Sequence, residues 1–449
     1  MEAAGTSAAR PVPPRPDRDL LPPGPRSPRT LQTLRFVRDP IPVFERSAAR
    51  YGGTFTLRIH GPGDLVFISD PPSLKRLFAA DKVNTIAPGR NIILRPVMGP
   101  DSVLLAEDSE HLRRRKLMLP PFHGERMRAY ESVIAEAAER QVASWPASER
   151  FPLHPSMQAL TLEVILRAVF GVEDRDRRDE LSGHLVAILA TTQSPRAVGL
   201  AVPRLRRLPP WRGTVARIER ADELLFDEIR RRRTDPSLEQ REDILSMLVA
   251  ARFDDGSAMD DADIRDQLMT LLLAGHETTA TSLAWAFDQL FHRPEAMERL
   301  REEMAGEGSE WLDAVISETL RVRPVVPFTG RQLREPASLG GHELPAGAVV
   351  MAAIYLAHMR EDVYPDARAF RPERFLEAPP ETFAWIPFGG GTRRCLGAAF
   401  AMFEMQVALR TILRLAELRP ADPAPERIIR RNITLAPARG TGAVLARRL

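Results

Sequence analysis

Two hydrophobic patterns follow each other early in the chain. Residues Thr54–Ile59 alternate between apolar and polar side chains, and a second apolar run, Leu65–Ile68, follows a glycine-containing turn. This arrangement predicts a β-hairpin. Asp70 then precedes two prolines and a stretch with helical spacing that ends near Ala80, which predicts a helix capped by an aspartate with proline in its first turn.

Through the middle of the chain the apolar positions recur with the period of an α-helix. The predicted helices are His111–Met118, Arg126–Ser144, Gln158–Phe170, Asp179–Thr191, Val215–Arg233, Asp243–Arg252, Asp261–Leu290, Pro294–Met304 and Trp311–Leu320. The helix over Asp261–Leu290 would span about 45 Å, the width of a large domain. Later runs such as Ala348–Ala353 predict strands, and a last helix is expected from just after Cys395 to about Leu418. Together these patterns predict a mainly α fold with a minor β-sheet.

Proline concentrates at the N-terminus, where residues 1–30 contain eight. Because proline removes a backbone donor and fixes φ, we expect an extended or disordered arm there. We find no internal repeat and no linker in the rest of the chain. Residues 31–449 are therefore expected to form a single domain.

Composition and charge argue against several classes of protein. Lys and Arg total 63 against 60 Asp and Glu, and only Lys75, Lys82 and Lys116 are lysines. The arginine clusters at 204–220 and 230–233 are interspersed with acidic residues, so we expect no nucleic-acid partner. We find no secretory signal and no apolar run of spanning length, which predicts a soluble cytoplasmic protein without a membrane anchor. A single cysteine excludes an intramolecular disulfide.

That cysteine, Cys395, lies in the segment Phe388–Gly397 among glycines and arginines, just before an apolar helix. A lone cysteine is most often a small buried apolar residue. Here the glycines allow the backbone to approach another group closely, and the arginines and the helix start favour a thiolate. A thiolate at this position would be a nucleophile, a redox centre or a metal ligand. The segment lacks the Gly-Lys-Ser/Thr of a phosphate-binding loop.

A polar stretch, Ala274–Thr279, interrupts the longest predicted helix. Glycine and threonine both weaken a helix, and the Thr278 hydroxyl can bond the carbonyl of Ala274, which would bend or open it. By itself the stretch could be a notch facing solvent. Leucines and Trp285 surround it, however, so we expect it to face a functional site.

The segment around the cysteine resembles the haem-binding signature of cytochromes P450. Phe388, Gly391, Arg393, Cys395 and Gly397 match Phe-x-x-Gly-x-Arg-x-Cys-x-Gly. The resemblance implies that Cys395 is the axial thiolate ligand of the iron of haem b. It further implies that O2 is a co-substrate and that electrons come from NAD(P)H through ferredoxin reductase and ferredoxin.

The resemblance extends over roughly residues 22–440 and implies further roles. Glu277 and Thr278 would be an acid–alcohol pair that relays protons. Glu318 and Arg321, whose spacing alone would suggest a surface pair, precede Arg374 in the order of the family and would form with it a structural network. The residues implied to bind the cofactor are His111, Arg115, Ala274, Arg331, Phe388, Gly389, Arg393, Cys395 and Gly397. The run His358–Asp362 departs from the Asn-Arg-Asp typical of many soluble bacterial members.

The sequence thus predicts a monomeric bacterial P450 monooxygenase. Its substrate is expected to be an apolar small molecule, such as a fatty acid, a terpene or a polyketide. Two alternatives stay open: a peroxide-driven haem-thiolate hydroxylase and a non-catalytic haem sensor. The expected substrate walls are Ile92–Met98, the 180–205 region, Leu271, Ala274 and Val325–Phe328. The expected docking patch for the ferredoxin is basic and consists of Arg113, Arg114, Lys116 and Arg394.

Overall fold

The computed structural model describes residues 13–82, 84–86, 94–122, 124–194, 197–306 and 308–449. The helices are α1 Arg29–Arg38, α2 Pro40–Tyr51, α3 Pro71–Ala79, α4 Arg95–Met98, α5 Asp108–Met118, α6 Glu131–Ser144, α7 Leu153–Val164, α8 Arg175–Thr192, α9 Ala197–Leu200, α10 Trp211–Arg233, α11 Ile244–Ala250, α12 Asp261–Phe291, α13 Pro294–Met304, α14 Glu310–Val322, α15 Ile354–His358, α16 Arg374–Glu377 and α17 Ala398–Leu415. The strands are β1 Thr54–Ile59, β2 Gly63–Ile68, β3 Thr85–Ile86, β4 Arg150–Pro152, β5 Thr329–Leu333, β6 Ala337–Leu339, β7 His342–Leu344, β8 Val349–Ala352, β9 Ala416–Pro420, β10 Ile428–Arg431, β11 Thr434–Pro437 and β12 Gly442–Arg448. The fold is mainly α with small β-sheets, as the sequence predicts.

The largest sheet within the described residues has five strands in the order β1-β2-β8-β5-β3. The predicted hairpin forms its edge, with Phe55 opposite Phe67. Successive side chains point to opposite faces of the strands. Phe67 and Met351 therefore enter one apolar cluster, whereas Val66 and Val350 enter another on the other face.

Helix α12 forms the centre of the molecule. Asp260 caps it by accepting a hydrogen bond from the Asp263 amide, and the helix runs unbroken for 31 residues. It contributes to the largest apolar cluster together with α6, α7, α14 and α17. A helix that is buried on nearly every side leaves few positions at which a polar side chain is tolerated without a function or a partner.

The N-terminal segment is attached to the hairpin from residue 22 onward. The amide and hydroxyl of Thr56 donate to the carbonyls of Pro23 and Pro22 at 3.0 and 2.7 Å. The Arg58 guanidinium donates to the carbonyls of Pro25 and Ser27. Residues 13–28 are thus extended apart from a short turn at Arg18–Leu20, and α1 begins at Arg29, inside the predicted arm.

Several predicted helix boundaries need correction. The last helix ends at Leu415 rather than near Leu418, because Ala416 takes an extended conformation and begins β9. The helix predicted to reach Phe170 ends in a π-helical turn at Ile165–Val169. In the described part of the chain, no helix combines the length and the apolar content that crossing a bilayer requires.

Candidate functional site

The loop before Cys395 has a backbone that only glycine adopts easily. Gly389 and Gly391 have φ values of 67° and 69°, in the left-handed region. A Cβ on Gly391 would also lie 2.1 Å from an oxygen of Asp81. The loop closes when the amide of Cys395 donates to the carbonyl of Phe388 at 2.9 Å, and α17 begins three residues later. These constraints fix the position from which the thiol projects.

The thiol of Cys395 has accessible surface although protein surrounds it. The residue is exposed, yet burial raises the pKa of its thiol. The sulfur can have accessible surface and still be desolvated if it faces an enclosed space within the fold. The amide of Gly397 and the charges of Arg115 and Arg394 act in the opposite direction and lower this pKa. The local groups thus act in the direction that the sequence predicts, while burial has the larger effect on the thiol.

Asp81, which sequence reasoning missed, holds the same loop from the outside. Both its carboxylate oxygens bind the guanidinium of Arg331, at 2.6 and 2.9 Å, and one also accepts from the amide of Thr392. Arg331 in turn donates to the carbonyl of Gly390. The predicted cofactor ligand Arg331 thus already has a carboxylate partner. No motif identifies Asp81, because it lies 250 residues from Arg331.

Three other predicted cofactor ligands converge beside this pair. Burial and the charges of Arg393, Arg115 and Arg331 lower the pKa of His111 to about 4. Burial also lowers the pKa of Arg115 and Arg393. Within the described residues neither guanidinium lies within 4 Å of a carboxylate oxygen. Desolvated cations without anions are costly, so the cluster fits a ligand with acidic groups. The two propionates of haem are such groups, and the thiol of Cys395 supplies the matching ligand for iron.

The predicted structural network forms as expected from the sequence. Glu318 and Arg321 have no exposed surface and make a two-pronged ion pair at 2.7 and 2.8 Å, and Arg374 adds a contact to Glu318 at 3.2 Å. Arg321 also donates to the carbonyls of His358, Ala367 and Ala369. The network fixes the chain that leads towards the cysteine loop.

His358, at the departure from Asn-Arg-Asp, joins this network to the cysteine loop. Its Nε2 accepts from the amide of Ile386 at 2.9 Å, and its Nδ1 lies 3.2 Å from the carbonyl of Arg321. A neutral imidazole has one accepting and one donating nitrogen, so it can accept from Ile386 and donate to the carbonyl of Arg321. Burial lowers the pKa of His358 to about 3, which is consistent with that form.

Helix α12 has one accessible patch along its buried length. From Ile264 to Phe291 every residue is buried except Leu271, Leu273, Ala274, Gly275 and Thr278. Four of these follow the helical spacing of a single face. Glu404 on α17 bonds Thr279, which ties the helix that follows Cys395 to α12 beside this patch. The patch is apolar apart from one hydroxyl.

The structure does not join the side chains of the predicted acid–alcohol pair. The Thr278 hydroxyl donates to the carbonyl of Ala274 at 2.6 Å, as predicted, but the helix stays continuous there. Glu277 is buried on the face towards α7, where its carboxylate accepts from the amides of Gln158 and Gln193 at 2.6 and 3.0 Å. Burial raises the pKa of Glu277. Its amide partners lie on α7 and directly after α8, so no local pattern reveals them.

The predicted substrate walls are only partly supported by the positions of their residues. Ala274 is exposed and Leu271 half-buried on the patch of α12. By contrast, Met98 is fully buried and belongs to the core, and the half-buried Phe328 packs about 5.7 Å from the ring of Phe36 in an aromatic cluster. Residues 92 and 93 and residues 195 and 196 lie outside the described part of the chain.

The structure removes one residue from the predicted basic docking patch and gives two others acidic partners. Arg114 is buried and pairs with Asp101, Glu110 and Asp263. Arg113 binds Asp255 at 2.8 Å, and Lys116 binds Asp254 at 2.6 Å. Helical spacing places these cations correctly on α5, but it does not show that an acidic loop folds onto them. Arg113, Lys116 and Arg394 stay exposed, and the first two share their charge with these carboxylates.

Comparison with known proteins gives a consistent result. A sequence model of the cytochrome P450 family matches residues 22–441. A Mycobacterium tuberculosis protein assigned as cytochrome P450 135B1 is 42% identical over 427 residues, 94% of this chain and 90% of the relative. Another from the same organism, assigned as cytochrome P450 137, is 40% identical, over 88% of this chain and 83% of the relative.

Solved structures agree. A retinoic acid-bound cyanobacterial CYP120A1 has a TM-score of 0.80 at 25% identity, over 96% of this chain and 99% of that one. The haem domain of cytochrome P450DA has a TM-score of 0.83 at 22% identity, over 96% and 98%, and supports the fold. The chain belongs to the cytochrome P450 family. It is accordingly a haem-thiolate monooxygenase, an oxidoreductase that uses haem and O2.

Proposed function

We propose that this chain is a cytoplasmic, monomeric monooxygenase that inserts one oxygen atom from O2 into an apolar small molecule. Electrons would come from NAD(P)H through ferredoxin reductase and ferredoxin. The observation that carries the site assignment is the meeting of the Cys395 thiol with desolvated guanidinium groups, Arg115 and Arg393, that lack carboxylate partners in the described chain.

In this proposal the cofactor is held from two sides. Cys395 would bind the iron, and the loop Phe388–Gly397 would hold the thiol in position for it. His111, Arg115 and Arg393 receive the propionates, with Arg331 held alongside by Asp81. Haem bound by a thiolate supplies the oxygen-activating chemistry, because the thiolate donates electron density that favours cleavage of the O–O bond.

The side chains of α12 would manage substrate and protons. Leu271 and Ala274 present apolar surface to the substrate and exclude water from it. The Thr278 hydroxyl donates to Ala274, so its oxygen lone pairs are free to accept a proton-bearing group on the accessible side. Glu277 would take up and release the proton that this hydroxyl passes on.

The substrate class rests on the character of the patch and on one relative. Between Ile264 and Phe291, the accessible residues of α12 are apolar except for Thr278. The solved relative at 25% identity binds retinoic acid, an isoprenoid with a long apolar chain. We therefore place fatty acids and terpenes ahead of polyketides as substrates.

The test is a reconstituted reaction. Haem-loaded protein is first screened for spectral shifts with fatty acids, terpenes and polyketides. The compound that binds is then incubated with ferredoxin, its reductase, NAD(P)H and ¹⁸O2. We expect one ¹⁸O atom per product and no product without the electron chain. Equal product with hydrogen peroxide alone would instead support the peroxide-driven hydroxylase.

A further inference from the structure

A chain of hydrogen bonds connects Glu277 to the surface hairpin formed by β10 and β11. The guanidinium of Arg431, at the end of β10, lies 3.2 Å from Nδ1 of His154. Nε2 of His154 lies 3.1 Å from the hydroxyl of Thr281, which donates to Oε1 of Glu277 at 3.3 Å. His154 and Thr281 are at most 1% exposed, whereas Arg431 is half-buried beside the exposed Asn432.

Arg431, at the outer end, determines the direction in which hydrogen bonds are donated along this series. Arginine can only donate, so Nδ1 of His154 must accept. Burial lowers the pKa of His154 to about 3, so the ring is neutral and its single proton lies on Nε2. Nε2 then donates to Thr281, which leaves the threonine hydroxyl proton for Glu277. Every bond therefore points inward, towards the carboxylate.

Few charged groups compete for Glu277. Helix α7 brings His154, and α12 itself brings His276, whose pKa burial lowers to about 4. Gln193, the residue that follows α8, contributes a neutral amide. Arg431 is the cation that acts on Glu277, and within the described residues it lies within 4 Å of no carboxylate oxygen. Burial raises the pKa of Glu277, and Arg431 opposes that rise.

We propose that Arg431 and His154 are positioning residues that act through Thr281 to hold the carboxyl of Glu277 ionised and turned towards α7. The proton affinity of the acid beside the accessible patch is thereby set from a surface hairpin. This inference rests on the proposed role of Glu277 in proton transfer, but its test does not require turnover.

The test is an infrared titration of the Glu277 carboxyl, assigned by subtracting the spectrum of Glu277→Gln. Arg431→Leu removes the outer donor, and His154→Phe removes both ring nitrogens. In each variant we expect the titration midpoint of Glu277 to rise by about one pH unit or more. In turnover, the pH at which coupling is half-maximal should move in the same direction.

Two further variants separate positioning from packing. His154→Gln can restore the chain, since its amide oxygen accepts from Arg431 and its amide nitrogen donates to Thr281, and its midpoint should stay near that of the parent. Arg430→Leu, one residue away, is the matched control because Arg430 instead contacts the carbonyl and ring of Phe36. It should leave the midpoint unchanged.

Three outcomes would overturn the proposal. The first is an unchanged midpoint in folded Arg431→Leu. The second is a shift in His154→Gln as large as that in His154→Phe, and the third is an equal shift in Arg430→Leu. If His154→Phe does not fold, Thr281→Val tests the inner link with the same expected shift. If instead the midpoints move as expected but Glu277→Gln couples normally, the proposed proton role of Glu277 fails and the positioning stands.

Discussion

Glu318 and Glu277 are both glutamates on core helices with almost no exposed surface, but their partners differ in kind. Glu318 contacts two guanidinium groups and a backbone amide. The groups that donate to Glu277 are neutral amides and a hydroxyl, and its cation, Arg431, acts through an intermediate imidazole. A carboxylate between cations stays ionised, whereas one among neutral donors can exchange its proton. The cations around Glu318 suit a role in assembling the fold, and the neutral donors around Glu277 suit a role in proton transfer.

The largest effect should come from breaking the first arrangement. Glu318→Gln leaves Arg321 and Arg374 facing an uncharged amide, and a buried ion stripped of its partner costs about 3–5 kcal/mol. We expect a loss of that size in the free energy of unfolding by urea, together with low haem content. Glu277→Gln, a matched change at a site without direct cations, should cost less than about 1 kcal/mol.

Glu310→Ala on the exposed start of α14 serves as a control for the helix and should leave stability nearly unchanged. Equal destabilisation by Glu318→Gln and Glu277→Gln would remove the distinction between the two carboxylates.

A third buried carboxyl, Glu404, extends the comparison because it has fewer hydrogen-bonding partners than Glu318 or Glu277. Burial raises its pKa from 4.5 to about 8, and only a hydrogen bond with Thr279 opposes that rise. Its neutral form is therefore favoured in the folded protein, so its contribution to stability is present below pH 4.5 and lost as the pH rises through about 8. One pKa unit corresponds to about 1.4 kcal/mol.

We therefore expect Glu404→Gln to flatten the pH dependence of the unfolding free energy by a few kcal/mol between pH 5 and pH 9, as measured by urea denaturation. Parallel curves for the parent and the variant would show that Glu404 is ionised throughout.

The smallest expected effect on stability is at Thr278, where we expect a change in the ratio of product to peroxide instead. Thr278→Ala removes the hydroxyl from the accessible patch of α12 but keeps a good helix former. Haem and substrate binding should persist, while the ratio of product to peroxide falls about tenfold or more. Ser282→Ala removes a similar intrahelical bond, from Ser282 to the carbonyl of Thr278, at a buried position, and should leave coupling unchanged. A parent-like ratio in Thr278→Ala would exclude this hydroxyl from the proton path.

How well the sequence predicts a feature depends on how far apart along the chain the interacting residues lie. The ends of α12 and α13 follow from local periodicity and capping and agree with prediction to within one residue. The grouping of Glu318, Arg321 and Arg374 follows from the resemblance to the family, in which the motifs occur in this order. The partners of Arg331 and of Glu277 lie on elements far away in sequence, so no local pattern identifies them.

The same limit applies to the ion pairs of α5. Spacing predicted which faces of the helix carry Arg113, Arg114 and Lys116, but not the acidic residues 254–263 that neutralise them. These ion pairs reduce the net positive charge that Arg113 and Lys116 offer to an acidic ferredoxin, and Arg114 is buried.

The central claim is that Cys395 binds haem iron as a thiolate, and the spectrum of the ferrous–CO complex tests it most directly. The parent protein should show the red-shifted Soret band typical of thiolate-ligated haem. Cys395→His, which offers a nitrogen in place of sulfur, should lose that band even where haem is retained. A red-shifted band that persists in Cys395→His would contradict the assignment.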